Sequence, residues 1–317
     1  MASRPLRIGI DGTCLALRRG YGRFLRELMP PLLELDRTNE YVLFVDRHAV
    51  RDIPELPVRI VEPATRHNQV DAPSARGNRA LGDVFTMGKS VAAEKLDLMY
   101  FPSVFSWFPV RGVKTAVAFH DTIAERYAKV VFPTFKTRML WKLKVGLARR
   151  QATGIVTVSE WSKRSLASWF KIPEERIFVT PEAPSPEFGP VLSDAPRRAW
   201  LKEAGLPEDA RYFIYVGGFN PHKNLREMLH AFADVTGEGD AGKPVHFILV
   251  GDYQGDTFHS EVSVLQGIIK ERGMEDRVHF VGFVPDEDLR NLYAGSIALA
   301  IPSLEEGFGL PAVEAAA

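Results

Sequence analysis

The sequence predicts an α/β protein that contains two doubly wound parallel sheets. Three observations favour this fold class. Short apolar runs rich in Val, Ile and Phe recur along the chain, longer amphipathic segments separate them, and a proline-rich stretch divides them into two series. Such alternation is typical of repeated βα units. With 317 residues, 45% of them hydrophobic, the chain is long enough for about two domains, each with its own core.

The apolar runs predict the strands in order. The first series covers residues 6–11, 41–46, 58–63, 97–101, 115–120, 154–159 and 177–180, and the second covers residues 212–217, 246–251, 278–283 and 297–301. Between them, five prolines fall within residues 181–196, and proline disrupts helix interiors and central strands. We therefore expect a first domain over residues 1–185, a linker over 186–206 and a second domain over 207–317. The chain stops at Ala317 inside an apparent helix, so we expect the second domain to be truncated at its C-terminus.

The composition excludes several classes of function. Forty basic and forty acidic side chains give a formal net charge of zero, so we expect no nucleic acid partner. The single cysteine, Cys14, cannot form an internal disulfide, which indicates a cytoplasmic protein. The sequence contains neither a signal peptide pattern nor an apolar run long enough to span a membrane.

A glycine pair and a lysine follow the first strand of the second series. Gly217 and Gly218 let a ligand approach the backbone, while Asn220 suits the N-cap of a helix and Pro221 its first position. Lys223 adds a full positive charge to the partial charge of that helix N-terminus. The arrangement predicts a diphosphate site. An ordinary βα turn with a solvated lysine fits the same spacing.

Two acidic side chains flank a second glycine loop near the end of the chain. Glu306 lies in the loop after the last predicted strand, and Glu314 lies in the first turn of a helix that starts at Pro311. A carboxylate accepts hydrogen bonds from two neighbouring hydroxyls, so the pair suits a sugar. The alternative is that both are surface acids that complement the helix dipole, which is the role we expect for Glu305.

Two further positions follow strands of the first series. His120 and Asp121 end an apolar run, and residues just past the carboxyl ends of parallel strands face the ligand crevice. A structural histidine and a capping aspartate fit the same pattern. Gly20 and Gly22 form a glycine turn before a helix, but Leu25 occupies the third position of a dinucleotide fingerprint.

Six motifs, in this order, make the sequence resemble the retaining, nucleotide-sugar-dependent glycosyltransferases of family 4. They are Gly-Tyr-Gly-Arg-Phe at 20–24, Phe-His-Asp at 119–121, Val-Thr-Val-Ser-Glu-Trp-Ser at 156–162, the Gly-Gly and Pro-His-Lys-Asn run at 217–224, Val-His-Phe-Val-Gly-Phe-Val at 278–284, and Glu-Gly-Phe-Gly-Leu-Pro at 306–311. Together they span nearly the whole chain. The resemblance implies the GT-B fold, in which two Rossmann-like domains face a cleft.

The resemblance also implies roles for individual residues. Glu306, His120 and Lys223 are implied to be catalytic: Glu306 holds the transferred sugar, His120 lies beside it, and Lys223 neutralises the diphosphate. The implied donor-binding residues are Gly20, Gly22, Gly217, Gly218, His222, Lys223, Phe308, Gly309, Leu310 and Glu314, with Glu314 on the donor ribose. Family members often carry Arg where this sequence has His222 or Gly218, so a second positive charge requires a protonated His222.

Neither a metal nor a cofactor is implied, apart from a GDP- or UDP-linked sugar as donor substrate. A diphosphate held by Lys223 and helix N-termini leaves more easily, and the acceptor hydroxyl then attacks from the same face. Asp286-Glu-Asp288 has the Asp-x-Asp pattern of metal-dependent transferases. Because it follows Pro285 and opens an apparent helix, we interpret it as an N-terminal capping segment.

One segment has an uneven charge. Residues 126–159 contain eight bases and no acid, with Leu and Trp interleaved. This pattern predicts either contact between residues 136–150 and an anionic membrane, or a solvated basic face on a helix that packs on the core.

We expect a hexosyltransferase of surface polysaccharide biosynthesis that acts on a glycan or lipid-linked glycan, with mannose from GDP-mannose as the first choice of donor and glucose from a UDP-sugar as the second. The expected location is the cytoplasm, with peripheral attachment to the cytoplasmic membrane face as a variant. The alternatives are a catalytically inactive GT-B module that binds a glycan or a protein partner, and a sugar-nucleotide epimerase on the same scaffold.

Overall fold

The computed structural model describes residues 4–16, 20–45, 57–65, 80–132, 134–237, 244–253 and 260–317. The chain forms two compact units, Met1–Glu182 and Ala183–Ala317, which we call the first and the second unit. Within the described residues, each unit contains one parallel sheet with helices packed on both faces. The predicted α/β class with two doubly wound sheets is therefore confirmed.

Among the described residues of the first unit, seven parallel strands form a sheet in the order β3-β2-β1-β4-β5-β6-β7. They are β1 (Arg7–Asp11), β2 (Glu40–Phe44), β3 (Arg59–Val61), β4 (Leu98–Phe101), β5 (Lys114–Ala118), β6 (Gly154–Thr157) and β7 (Ile177–Val179). Each strand overlaps a run predicted from the sequence. The strand order reverses between β1 and β4, which is the switch point at which sheets of this kind leave a crevice at their carboxyl ends.

The helices of the first unit cover both faces of its sheet. They are α1 (Tyr21–Leu35), α2 (Leu81–Ala93), α3 (Ile123–Arg126), α4 (Ala128–Val131), α5 (Phe135–Gln151) and α6 (Glu160–Phe170). Successive side chains of a strand point to opposite faces. Tyr41 and Leu43 of β2 belong to the core that contains residues of α1, whereas Val42 and Phe44 belong to the core that contains residues of α2, α5 and α6.

In the described part of the second unit, four parallel strands form a sheet in the order β10-β9-β8-β11. The strands are β8 (Arg211–Val216), β9 (Val245–Val250), β10 (Val278–Gly282) and β11 (Ala298–Leu299), and the helices are α7 (Ala195–Glu203), α8 (Leu225–Gly237), α9 (Val262–Glu271), α10 (Asp286–Gly295) and α11 (Leu310–Ala316). Phe247 and Leu249 of β9 pack with α8 and α9, whereas Ile248 and Val250 join the core on the other face. The second series of predicted strands is confirmed.

The stretch expected to be a linker, residues 186–206, contains α7. This helix starts at Ala195 and carries Pro196 in its first turn. Proline fits there because the first N–H groups of a helix have no partner within the helix. The stretch expected to be a linker is therefore helical over part of its length.

Candidate active site

A lysine and a glutamate beyond the carboxyl ends of two paired strands form the centre of the candidate site in the second unit. Lys223 follows β8 and Glu306 follows β11, and these strands are parallel neighbours. Lys223 Nζ donates a hydrogen bond of 2.7 Å to Glu306 Oε1, and Ser303 Oγ donates one of 2.6 Å to the same oxygen. The N–H of Leu304 donates to the His222 carbonyl at 2.9 Å, which joins the two loops. The structure thus brings together Lys223 and Glu306, both of which the sequence predicted to be catalytic.

The positive charge of Lys223 and the negative charge of Glu306 neutralise each other in the structure. Solvent reaches 19% of the Lys223 side chain and 29% of the Glu306 side chain, so a ligand can approach both. A diphosphate is an acceptor and competes with Glu306 for the ammonium group, whereas sugar hydroxyls can donate to the carboxylate. The arrangement can therefore exchange one internal ion pair for contacts with the two chemically different parts of a sugar diphosphate.

The local structure before Lys223 differs from the prediction. The predicted helix start at Pro221 is wrong: residues Pro221–Lys223 form a single 3-10 turn, and α8 begins at Leu225. Asn220 holds the N-cap position of the short turn. Asn224 interrupts the helical path because its φ is 56°, a left-handed conformation that asparagine tolerates better than most residues.

His222 does not supply a second positive charge. Burial and the neighbouring charge of Lys223 lower the pKa of His222 to about 4. The imidazole is therefore neutral at neutral pH, and a second cation of the kind that the family resemblance calls for is absent at this position. The Nδ1 atom is buried without a hydrogen-bond partner, which a neutral ring tolerates far better than a charged one.

Gly217 leaves space for the side chain of Tyr215. The hydroxyl of Tyr215 in β8 donates a hydrogen bond to the carbonyl of Gly218. A Cβ atom at Gly217 would lie 2.5 Å from that hydroxyl oxygen, so any side chain there would displace it. Gly217 thus has a packing role in the turn that does not depend on a ligand.

The loop before α11 holds the remaining predicted donor-binding residues. Phe308 and Gly309 lie in the loop and Leu310 begins the helix, and all three are partly exposed. Gly309 has a φ of 81°, a conformation that favours glycine. Glu314 is buried in α11, where its Oε2 accepts a hydrogen bond of 3.2 Å from the Tyr293 hydroxyl of α10.

Four neighbours contact His120 in the first unit. It follows β5, and its Nε2 lies 2.8 Å from the Pro102 carbonyl oxygen, which only accepts, so Nε2 carries a hydrogen. Its Nδ1 lies 3.5 Å from Oε1 of Glu182. The ring makes edge contacts with Tyr21 and Phe24, with centroids 4.9 Å away in each case. Glu182 was not predicted as a site residue, because it lies 62 residues from His120 in the chain and the contact arises only in the fold.

The two glycines near residue 20 frame the start of α1. Gly20 occupies the N-cap position with a φ of 55°, which favours glycine, and Gly22 is buried in the first helical turn. Tyr21 lies between them and packs on both His120 and Phe105. Burial raises the pKa of Tyr21 well above its usual value, and the nearby carboxylates add to this. Gly20 and Gly22 thus lie beside the His120 cluster in the first unit.

The Asp-x-Asp segment lies on a helix. α10 starts at Asp286 and places Asp286, Glu287 and Asp288 in its first turn, where negative charge complements the helix dipole; Pro285 takes the N-cap position. Over the described ranges of the chain, His, Cys, Asp and Glu side chains do not gather in groups of three that could hold a metal ion.

Two parallel α/β units, each with polar side chains beyond the carboxyl ends of its strands, are the architecture of the GT-B class of glycosyltransferases. Family models extend this conclusion: residues 20–186 match the model described as Glycosyltransferase Family 4, and residues 196–317 match Glycosyl transferases group 1. The chain belongs to glycosyltransferase family 4.

Individual relatives are similar at low identity. The chain is 28% identical to the O-antigen chain mannosyltransferase B of Escherichia coli over 300 residues, which are 93% of this chain and 76% of the relative. It is 30% identical over 169 residues to the 2-deoxystreptamine glucosyltransferase of Streptomyces kanamyceticus, covering 53% of this chain and 41% of that enzyme. The crystal structure of Anabaena HepE with UDP and glucose matches with a TM-score of 0.67 at 18% identity, over 98% of this chain and 78% of HepE. That likeness confirms the GT-B fold.

Proposed function

We propose that this glycosyltransferase is a retaining hexosyltransferase that moves mannose from a nucleotide diphosphate donor to a growing glycan, free or lipid-linked, in surface polysaccharide biosynthesis. The observation that carries the proposal is the hydrogen-bonded pair of Lys223 and Glu306 beyond the carboxyl ends of β8 and β11. The similarity to an O-antigen mannosyltransferase supports mannose, and therefore GDP-mannose, as the first donor. A UDP-linked glucose is the second, because HepE was solved with UDP and glucose.

The reaction uses the two halves of the Lys223 and Glu306 pair on different parts of the donor. Lys223 donates to the diphosphate and offsets the charge that develops as the bond between sugar C1 and the phosphate oxygen breaks. Glu306 accepts from hydroxyls of the sugar, while Ser303 keeps its carboxylate in place. The acceptor oxygen bonds to C1 on the face that the diphosphate leaves, and its proton passes to the departing phosphate oxygen. We propose that no metal and no cofactor take part.

The remaining predicted residues bind and orient the donor. Glu314 accepts from the ribose hydroxyls, the backbone around Phe308, Gly309 and Leu310 holds the sugar, and the turn at Gly217 and Gly218 lies against the diphosphate. The Glu314 carboxylate is buried and already accepts a hydrogen bond from Tyr293. In its proposed role it also accepts hydrogen bonds from the ribose, which is rich in hydroxyl donors. For the first unit, we propose separately that His120 and the turn at Gly20 and Gly22 have the roles that the family resemblance implies. We place the reaction in the cytoplasm.

Thermal unfolding with nucleoside diphosphates tests this proposal. A nucleotide at a hundred times its Kd stabilises a protein by about 2.7 kcal/mol. Because the proposed donor is GDP-mannose, GDP is expected to raise the Tm more than UDP or ADP. Lys223→Ala is expected to lose most of that shift, whereas Lys202→Ala, an exposed lysine elsewhere in the second unit, should keep it. No stabilisation by any of the three nucleotides would contradict the proposal and favour an inactive module that binds a glycan or a partner.

A further inference from the structure

One helical layer of the first unit exposes many large apolar side chains. On α2, α5 and α6, the exposed ones are Leu81, Phe85, Phe135, Met139, Leu140, Leu143, Leu147, Trp161 and Trp169. Scattered exposed apolar residues are normal, but a concentration on one side of a protein marks an interaction surface. We call the outward sides of these three helices the outer helical face.

The three helices lie on the same side of the sheet. Their inward residues, such as Met87 of α2, Val145 of α5 and Leu166 of α6, belong to one core, while α1 contributes to the core on the opposite side. Right-handed crossovers between parallel strands lead to the same arrangement, because the connections from β3 to β4, β5 to β6 and β6 to β7 all run in one direction across the sheet. The exposed apolar residues therefore point outward from a single layer.

Packing on the core does not explain why α5 exposes a row of apolar side chains. The core side of this helix consists of Trp141, Val145 and Ala148, all buried. A separate row, with Phe135, Met139, Leu143 and Leu147 at four-residue intervals, is 45–71% exposed. Residues four apart lie above one another on a helix, so this row is continuous and faces away from the sheet. The solvated basic face that the sequence left open would place polar residues in this row.

The charge of the outer helical face is almost entirely positive. Exposed bases on α2, α5 and α6 are Lys89, Lys136, Lys142, Arg150 and Arg164, and the exposed acid on these helices is Glu160. Apolar side chains flanked by Lys and Arg are the pattern that binds at the interface of an anionic bilayer. A second copy of this chain fits less well, because a symmetric contact through this face would bring two positive surfaces together. In the part of the chain that the structure describes, no helix is long and apolar enough to cross a bilayer.

Six of the nine exposed apolar residues lie at one end of the layer. Leu81 and Phe85 occupy the first turns of α2, Phe135, Met139 and Leu140 lie in the first six residues of α5, and Trp161 is in the first turn of α6, whereas Leu143 is at the middle of α5 and Leu147 and Trp169 lie nearer the helix C-termini. A helix between parallel strands starts near the carboxyl ends of the strands and runs back to their amino ends. The apolar end is therefore the end at which His120 follows β5.

We propose that the outer helical face docks the protein on an anionic lipid bilayer, with the apolar helix starts inserted and the carboxyl edge of the first sheet held close to the membrane. A lipid-linked acceptor in that bilayer would then emerge beside His120; this last step rests on the proposed transfer to a lipid-linked glycan. The docking itself does not depend on the reaction.

Vesicle co-sedimentation of the full chain tests the docking. Vesicles of phosphatidylcholine are compared with vesicles that contain about one third phosphatidylglycerol, at low salt and at about 0.5 M salt. Two double variants remove the apolar and the charged part separately: Phe135→Ser with Leu143→Ser, and Lys136→Gln with Lys142→Gln. The matched controls are Leu35→Ser with Leu192→Ser and Lys202→Gln with Lys270→Gln, which change exposed residues outside the outer helical face. Thermal unfolding confirms that each variant folds.

We expect binding to anionic vesicles that is at least about tenfold tighter than to neutral ones, weakened by salt, and reduced about tenfold or more in both test variants but in neither control. The proposal is overturned if wild type binds both vesicles equally or not at all, or if the test variants bind like their controls. Loss of a concentration-dependent dimer in the test variants, without any lipid binding, would assign the face to a second copy instead. Nucleotide stabilisation in the same variants stays at the wild-type level, so failure of docking is distinguishable from failure of the proposed reaction.

Discussion

Replacing Glu306 with Gln removes the charge that opposes Lys223 and keeps the shape of the side chain. In the wild type, a nucleoside diphosphate must compete with the Glu306 carboxylate for the Lys223 ammonium, 2.7 Å away. In Glu306→Gln that competition is gone, while the amide oxygen can still accept from Ser303. The variant is therefore expected to bind the free nucleoside diphosphate more tightly and yet to turn over the sugar donor more slowly.

The size of the effect follows from the geometry. Two unit charges 2.7 Å apart attract each other by about 1.5 kcal/mol at the dielectric constant of water. Partial burial strengthens this attraction, whereas ions and the exposed 19% and 29% of the two side chains weaken it. We expect a gain of about 1 kcal/mol, which is roughly a fivefold lower Kd for the diphosphate. Turnover should fall by about a hundredfold or more, because the group that holds the sugar has lost its charge.

Isothermal titration with GDP and UDP measures the gain, and a donor turnover assay measures the loss. Glu305→Gln is the matched control: it changes the net charge by the same amount one residue away and should alter neither quantity by more than about twofold. Equal or weaker binding of the diphosphate to Glu306→Gln would refute the idea that the two side chains compete and exchange partners. An equal gain in Glu305→Gln would attribute the effect to general charge.

Three further predictions concern single residues. Glu182→Gln is expected to lower kcat about tenfold with little change in donor KM, because the substitution loosens the position of His120. An unchanged kcat would show that the contact between Glu182 and His120 does not matter to the reaction. Gly20→Ala is expected to cost about 1 kcal/mol of unfolding free energy in a thermal or denaturant melt, because nothing obstructs the added methyl group but the φ of 55° is strained for alanine; a neutral effect would show that the turn relaxes. The pKa of His222 is lowered to about 4 in the folded protein, so the unfolded chain binds more protons between about pH 4 and pH 6.5. The free energy of unfolding should therefore fall by about 1–3 kcal/mol as the pH decreases through this range. Urea unfolding at several pH values measures this slope, and His222→Gln should flatten it.

The fold was largely predictable because buried parallel strands are written as continuous apolar runs. Both faces of β9 are covered, for example, and all six of its residues are buried. The end of β8 was harder to predict, because a Pro at 221 after an Asn fits a helix start and a 3-10 turn equally well, and only the left-handed Asn224 separates them.

Within the candidate site, residue types were predictable and partnerships were not. Lys223 and Glu306 are 83 residues apart in the chain, and the sequence assigned them to separate loops without predicting that they pair. Ser303 lies three residues before Glu306, yet its hydrogen bond depends on the path of the loop. The neutral state of His222 follows from its burial, which composition and spacing do not reveal.

The stereochemistry of the product tests the central claim most directly. Proton NMR of the product formed from an α-linked GDP-mannose donor, followed in time, is expected to show an α-linked mannose from the first turnovers onward, and Lys223→Ala should reduce the initial rate by about a hundredfold while Lys202→Ala does not. A β-linked product, or an undiminished rate in Lys223→Ala, would contradict a retaining transfer at this site.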